Sequence, residues 1–289
     1  MKNIKLTLFI SLCLITSLVS SQSVYLSFNP EKGSRYNEKL NLTQNITTKM
    51  EGLGMDQEVK SDISVYATSE FLGKNDKKNI LLKQKFTRMT MDMEMMGMSL
   101  NIDTDNEDEA NDMEANVLKD LKPMINKDMI SEIGKDGKIL DVEISEDLQE
   151  TFSKYASTLN NSNYSVLPNR KVKINDTWNY VNESDANNGL IMVIDSEYTL
   201  IAINGGKATV SIKGVISQKK DEKREDENET VKDLTINSGT LEGTGVIDIK
   251  TGNYIENTLN MKFDMSMTAN DMNATTIVEQ NIIRTLERI

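Results

Sequence analysis

The chain has 289 residues, with 33 basic side chains against 45 acidic ones, no histidine and one cysteine. The missing histidine excludes catalytic triads and zinc sites that depend on this residue, and the acidic balance disfavours nucleic acid as a partner. No hydrolase, phosphate-binding or zinc motif occurs either. We therefore expect a protein that is not an enzyme, with no catalytic residue, no metal and no cofactor.

Residues 1–21 have the pattern of a secretory signal peptide. Lys2 and Lys5 precede an apolar run from Leu6 to Val19, and Ser21 is the small residue expected before the cleavage site. The run has roughly 14 residues, whereas a spanning helix needs about 20. We expect an exported mature chain without a transmembrane segment, located in the periplasm or outer envelope or secreted.

The single cysteine, Cys13, lies inside the apolar run of the predicted signal peptide. A lipoprotein signal needs a small residue before its cysteine, and here that residue is Leu12, so lipidation is not expected. Loss of Lys2 and Lys5 leaves 31 of the 33 basic residues against 45 acidic ones, a net charge of −14. The mature chain would then contain no thiol.

Three segments that follow the signal alternate between apolar and polar residues with period two. This alternation is typical of strands with one buried face. The apolar residues are Leu40, Leu42 and Ile46, then Val59, Ile63, Val65 and Ala67, and then Ile80, Leu82 and Phe86.

The stretch "RMTMDMEMMGMSLNID", residues 88–103, contains six methionines. A two-residue turn at Met96–Gly97 would pair Met95 with Met98 and place the alternate methionines on one face of a hairpin. A strand near the carboxyl terminus repeats the pattern. The predicted ligand-lining residues are Met89, Met91, Met93, Met95, Met98, Met261, Phe263, Met265 and Met267.

Three interpretations of these methionines remain open. They are ordinary core residues, or an adaptable lining for a hydrophobic ligand, or thioether ligands for Cu(I). Copper is the least favoured, because no histidine or mature-chain cysteine supports it and because strict period two suits a sheet face.

The middle of the chain changes to helical periodicity, which predicts a helical insert at about residues 107–160. Seven carboxylates in the run from Asp103 to Glu114 lack the glycine of a calcium-binding loop and suit a helix start instead. Asp136-Gly137 predicts a hairpin turn between two helices, and Ser145 predicts a cap for the second helix. The predicted inward residues are Met113, Val117, Leu118 and Leu121 in the first helix and Leu148, Phe152, Tyr155 and Leu159 in the second.

The run "LPNRKVKINDTWNY", residues 167–180, predicts an extended entry, a tight turn at Asn175-Asp176 and a strand that begins near Trp178. It resembles a motif of an exported bacterial family of unknown function, DUF6263, in which a glycine is usual at the position of Asn175. Asn tolerates the left-handed conformation that such a turn requires. The resemblance implies an envelope protein without assigned enzyme activity, and a fold similar to the half-barrels of periplasmic lipoprotein and lipid carriers.

Five further alternating segments follow Trp178, joined by turn sequences such as Asn204-Gly205-Gly206 and Thr251-Gly252-Asn253. We therefore predict a mainly β (α+β) fold over a single domain, residues 22–289. It is a single curved antiparallel sheet, or half-barrel, with two central helices packed on its concave face.

The leading functional hypothesis is a non-catalytic envelope protein that binds a lipid, another hydrophobic ligand or a lipidated partner in its methionine-lined concavity. The alternative is a structural or interaction protein with a fully packed core that contacts an envelope protein partner through its acidic surface. An apolar cavity of about 300 Å³ or more would favour the first hypothesis, and a filled core the second.

Overall fold

The computed structural model describes residues 22–51, 56–106, 110–149, 166–185, 190–220, 231–269 and 272–289. The predicted signal peptide, residues 1–21, lies outside them. Among the described residues, no helix combines the length and apolarity needed to cross a bilayer.

In the described residues, one antiparallel sheet contains twelve strands, which are β2 (Arg35–Met50), β3 (Asp56–Lys74), β4 (Ile80–Met95), β5 (Met98–Asp103), β6 (Asp128–Ile133), β7 (Ile139–Glu143), β9 (Thr177–Asp185), β10 (Leu190–Asn204), β11 (Lys207–Lys220), β12 (Val231–Asp248), β13 (Tyr254–Ala269) and β14 (Met272–Arg288). Their order across the sheet is β7-β6-β4-β3-β2-β14-β13-β12-β11-β10-β9, with β5 paired to β4. The predicted antiparallel sheet is confirmed, and it is open, with β7 and β9 at its two edges.

A separate ribbon of β1 (Ser23–Leu26) and β8 (Arg170–Lys173) lies at one end of the sheet, where Val166 and Leu167, just before β8, contact both sheet edges. The backbone N–H of Leu167 donates to the carbonyl of Asp136 in the β6–β7 turn, at 2.9 Å. The Trp178 indole N–H, on β9, donates to the carbonyl of Val166 at 3.3 Å. Because neighbouring residues hold both edges, the sheet must curve towards itself here. We call this the closed end and the opposite end, where the β4–β5 and β13–β14 hairpins turn, the open end.

One α-helix, α1 (Asp112–Leu121), occurs in the described residues, so the prediction of two helices is wrong for this part of the chain. The second predicted helix starts as a 3-10 turn, Glu146–Leu148, in which Ser145 makes no capping bond to the backbone. Residues 150–159 of this predicted helix, with Phe152, Tyr155 and Leu159, lie outside the described residues.

Helix α1 packs Leu118 and Leu121 against the inner face of the sheet, beside Met89 and Ile102. Met113, predicted to point inwards, is 55% exposed, because it lies in the first turn on the side away from the sheet. A second apolar cluster fills the closed end, with the stacked rings of Trp178 and Tyr198 5.7 Å apart, and continues along the inner face of β10–β13. The core is thus divided between a helix-covered half and a closed-end half.

Candidate functional site

The methionine hairpin has the register predicted from its sequence. Met95 pairs with Met98, and Met93 pairs with Leu100. The turn residues Met96 and Gly97 have φ values of 52° and 78°, the left-handed pair that a tight two-residue hairpin turn requires.

Exposure of the β4 methionines increases from the middle of the sheet to the open end. Met89 is 4% exposed, Met91 and Met93 are half-buried, and Met95 and Met98 are 37% and 51% exposed. Met89 is therefore a core residue. The others are apolar side chains on an incompletely covered surface.

The β13 row has the same gradient. Met261 is buried in the closed-end cluster, whereas Phe263, Met265 and Met267 are half-buried on the way to the open end. The polar residues between them, such as Lys262 with its ion pair to Glu279, lie on the outer face.

The register of the sheet shows that both rows lie on one face. Met93 pairs with Ser61, Ser61 with Gln44, Gln44 with Gln280 and Gln280 with Met261. Four strand spacings of about 4.8 Å place the rows roughly 19 Å apart. All the predicted lining residues therefore lie on the inner face, but the two rows do not meet in a single metal site.

Three hollows that are lined by described residues border this sheet. One of about 640 Å³ lies at the open end beside the hairpin tip and mixes methionines with Asp56, Glu58 and Glu94. Another of about 410 Å³ lies over the outer face and is lined mainly by polar side chains, among them Asn45 and Lys262. The third, a recess of about 70 Å³, lies on the inner face. None of these is the large apolar cavity that would favour the hypothesis of hydrophobic-ligand binding.

The recess between β9, β10, β12, β13 and β14 is a feature that sequence reasoning missed. Its lining includes Tyr180, Asn182, Tyr198, Tyr254 and Asn257, together with aliphatic side chains. The Tyr254 hydroxyl and the Asn257 Oδ1 are buried and have no hydrogen-bond partner among the described residues. Burial raises the pKa of both Tyr198 and Tyr254, so the two hydroxyls stay protonated.

A glycine makes room for the Tyr254 ring. A Cβ on Gly245, on the adjacent strand β12, would lie 2.1 Å from Tyr254 Cε1. The ring therefore lies directly over the Gly245 backbone. A glycine among alternating residues is a known sign of such close approach, and it is the one sequence signal that points to this recess.

A buried ion pair forms a second polar group on the inner face. Arg284 Nε donates to Glu38 Oε1 at 2.6 Å, and the two side chains are 7% and 11% exposed. The Ser69 hydroxyl and the Gln84 amide also donate to Glu38, at 3.1 and 3.2 Å. These bonds offset the cost of removing two charges from water.

Searches against curated proteins give no match to the chain. Among solved structures, an outer membrane channel from Pseudomonas putida F1 has a TM-score of 0.26 at 7% identity, covering 91% of this chain and 97% of its own. OccK7 (OpdD) from Pseudomonas aeruginosa has a TM-score of 0.21 at 7% identity, over 89% and 100% of the two chains. OpdQ from Pseudomonas aeruginosa has a TM-score of 0.20 at 6% identity, over 88% and 99%. Scores this low establish neither a common fold nor a common function.

The family model of unknown function DUF6263 matches residues 77–163 and 143–253, which together make up more than half of the chain. The matched residues include the methionine hairpin, helix α1, strand β8 and the β9–β12 part of the sheet. This protein belongs to the family of unknown function DUF6263.

Proposed function

We propose that this protein is an exported, non-catalytic binding protein that holds an apolar ligand, such as a lipid or the lipid part of an envelope partner. The ligand lies on the inner face of the sheet at the open end. The observation that carries the proposal is the row of half-buried apolar side chains there, which comprises Met91, Met93, Phe263, Met265 and Met267.

Incomplete burial gives this surface its capacity to bind. Each square ångström of apolar surface that a ligand removes from water contributes about 25 cal/mol to the free energy of binding. Methionine is unbranched and polarizable, so it repacks around guests of different shape. Because the hollows near this face are open, the ligand would lie on the sheet as on an open surface, without enclosure in a large cavity.

Export is supported by the sequence of residues 1–21. The expected mature protein begins at Gln22, one residue before strand β1. Amino-terminal sequencing of the protein recovered from an exporting host tests this directly. A first residue of Met1, in protein that stays inside the host, would contradict export.

Ligand binding is tested by purifying the protein from that host without detergent and extracting it with organic solvent. Mass spectrometry of the extract should find a lipid in stoichiometric amount. An extract without lipid, from protein that is folded by circular dichroism and also fails to bind added apolar dye, would contradict the proposal.

The outer face favours a second candidate function, in which the protein binds a partner protein through polar contacts. The outer hollow of about 410 Å³ is lined in part by Asn45, whose Oδ1 is buried and finds no hydrogen-bond partner in the part of the chain that the structure describes. Substitution separates the two functions: Asn45→Ala should weaken a complex that uses the outer face and should leave dye binding on the inner face unchanged.

A further inference from the structure

Unpaired polar atoms concentrate at the start of strand β13. Apart from Asn45, the buried side-chain atoms that lack a partner among the described residues belong to Asn253, Tyr254 and Asn257. Leaving such atoms unpaired inside a protein costs about 1–3 kcal/mol each. Two of these residues, Tyr254 and Asn257, line the recess of about 70 Å³. A ligand in the recess that carries hydrogen-bonding groups would therefore supply partners for their side chains.

The lining of the recess favours an uncharged ligand. It contains tyrosine, asparagine, serine and aliphatic side chains but no charged one. Arg284 lies next to Asn257 in the sheet register, yet it directs its charge to Glu38 at 2.6 Å. A carboxylate or phosphate would be desolvated here without a counter-charge, which is costly.

The recess is continuous with the apolar row of β13. Met261 lines the recess, and Phe263, Met265 and Met267 follow on the same face towards the open end. The six residue-to-residue steps from Met261 to Met267 span about 20 Å at the rise of a strand. One leaflet of a bilayer's hydrocarbon core spans roughly 15 Å, so the row is long enough for an acyl chain.

We propose that the recess binds the uncharged hydrogen-bonding head of an amphipathic ligand, an ester or alcohol group, while its acyl chain extends along the β13 row. The Tyr254 hydroxyl donates to the ligand oxygen and the Asn257 side chain accepts from a ligand hydroxyl. This inference rests on the proposed function and adds the chemical class of the ligand and its orientation on the sheet.

The test is competition for the neutral fluorescent dye N-phenyl-1-naphthylamine by 1-monooleoylglycerol or by oleate. The monoglyceride should displace the dye at lower concentration than oleate. Tyr254→Phe and Asn257→Ala should each raise the monoglyceride concentration needed by about 5- to 10-fold without changing dye or oleate binding. Tyr66→Phe, a half-buried tyrosine of the outer face, is the matched control and should change nothing.

The possible results separate the two proposals. Failure of the wild type to bind the dye overturns the proposed function, and the inference with it. If both lipids displace the dye at the same concentration, and if Tyr254→Phe and Asn257→Ala compete like the wild type, only the inference is overturned. The recess then holds water. Equal weakening of dye, oleate and monoglyceride by Tyr254→Phe also overturns it, because the effect is then one of packing.

Discussion

At the residue scale, the inner face combines buried polar groups with apolar rows. Glu38 and Arg284 are 246 residues apart in sequence and adjacent in the sheet. Alternation does predict that both point inwards, since Glu38 is in phase with Leu40 and Leu42. It does not predict that they meet, because their contact depends on the pairing of β2 with β14, which no local pattern encodes.

We expect Arg284→Met to lower the free energy of unfolding by about 3–5 kcal/mol, because it leaves the Glu38 carboxylate buried without its counter-charge. Urea denaturation measures this difference. Lys262→Met is the matched control. It removes an exposed partner of Glu279 and should lower the free energy of unfolding far less, because solvent screens this pair. Equal effects of the two substitutions would show that the Glu38–Arg284 pair is not desolvated.

At the element scale, local signals in the sequence were sufficient to predict the hairpin turns and helix α1. Met96–Gly97, Asp136-Gly137 and Asn204-Gly205-Gly206 all form the predicted turns, because each contains a glycine that adopts the positive φ of its turn without steric cost. The carboxylates expected at a helix start include Glu114, which closes a capping box with Asn111. The ribbon strand β1 was not predicted, because four residues are too few to show a period.

The stability of α1 should depend on pH through Glu114. The backbone N–H groups of Asn101 and Asn111 donate to this carboxylate and hold its pKa below the usual 4.5. A lowered folded-state pKa contributes stability above the ordinary carboxyl pKa, and this contribution is lost as the pH falls through the folded value.

Urea midpoints at pH 7 and pH 3 measure this effect. Glu114→Gln should lower the midpoint at pH 7 and reduce the difference between the two pH values. Glu94→Gln, which changes an exposed carboxylate of β4, should leave that difference near that of the wild type. An identical pH dependence in Glu114→Gln and the wild type would contradict this role.

Substitution of Gly245 tests how closely the Tyr254 ring approaches the backbone of β12 beside the recess. Gly245→Ala should lower the free energy of unfolding by about 1–3 kcal/mol, because its Cβ would overlap the Tyr254 ring. Thr244→Ala, on the outer face of the same strand, should have a much smaller effect on the urea midpoint. A neutral Gly245→Ala would mean that the Tyr254 ring can leave its position without cost.

At the scale of the whole molecule, period two predicted a single antiparallel sheet with one apolar face, and the structure has that sheet. The long-range arrangement was beyond sequence reasoning. The β2–β14 pairing joins the two halves of the chain, and Val166 and Leu167 contact both edges at the closed end. The predicted lining residues do share one face, but the separation of their rows by three strands follows only from this topology.

The central claim is that the inner face at the open end binds an apolar ligand. The most direct test is titration of the wild type, Met265→Gln and Ser266→Gln with N-phenyl-1-naphthylamine. Residues 265 and 266 are adjacent on β13, so one variant places glutamine on the inner face of the sheet and the other places it on the outer face. We expect Met265→Gln to weaken dye binding about fivefold or more, through loss of apolar contact, and Ser266→Gln to bind like the wild type. Equal affinities in all three proteins, with unchanged urea midpoints, would contradict the claim.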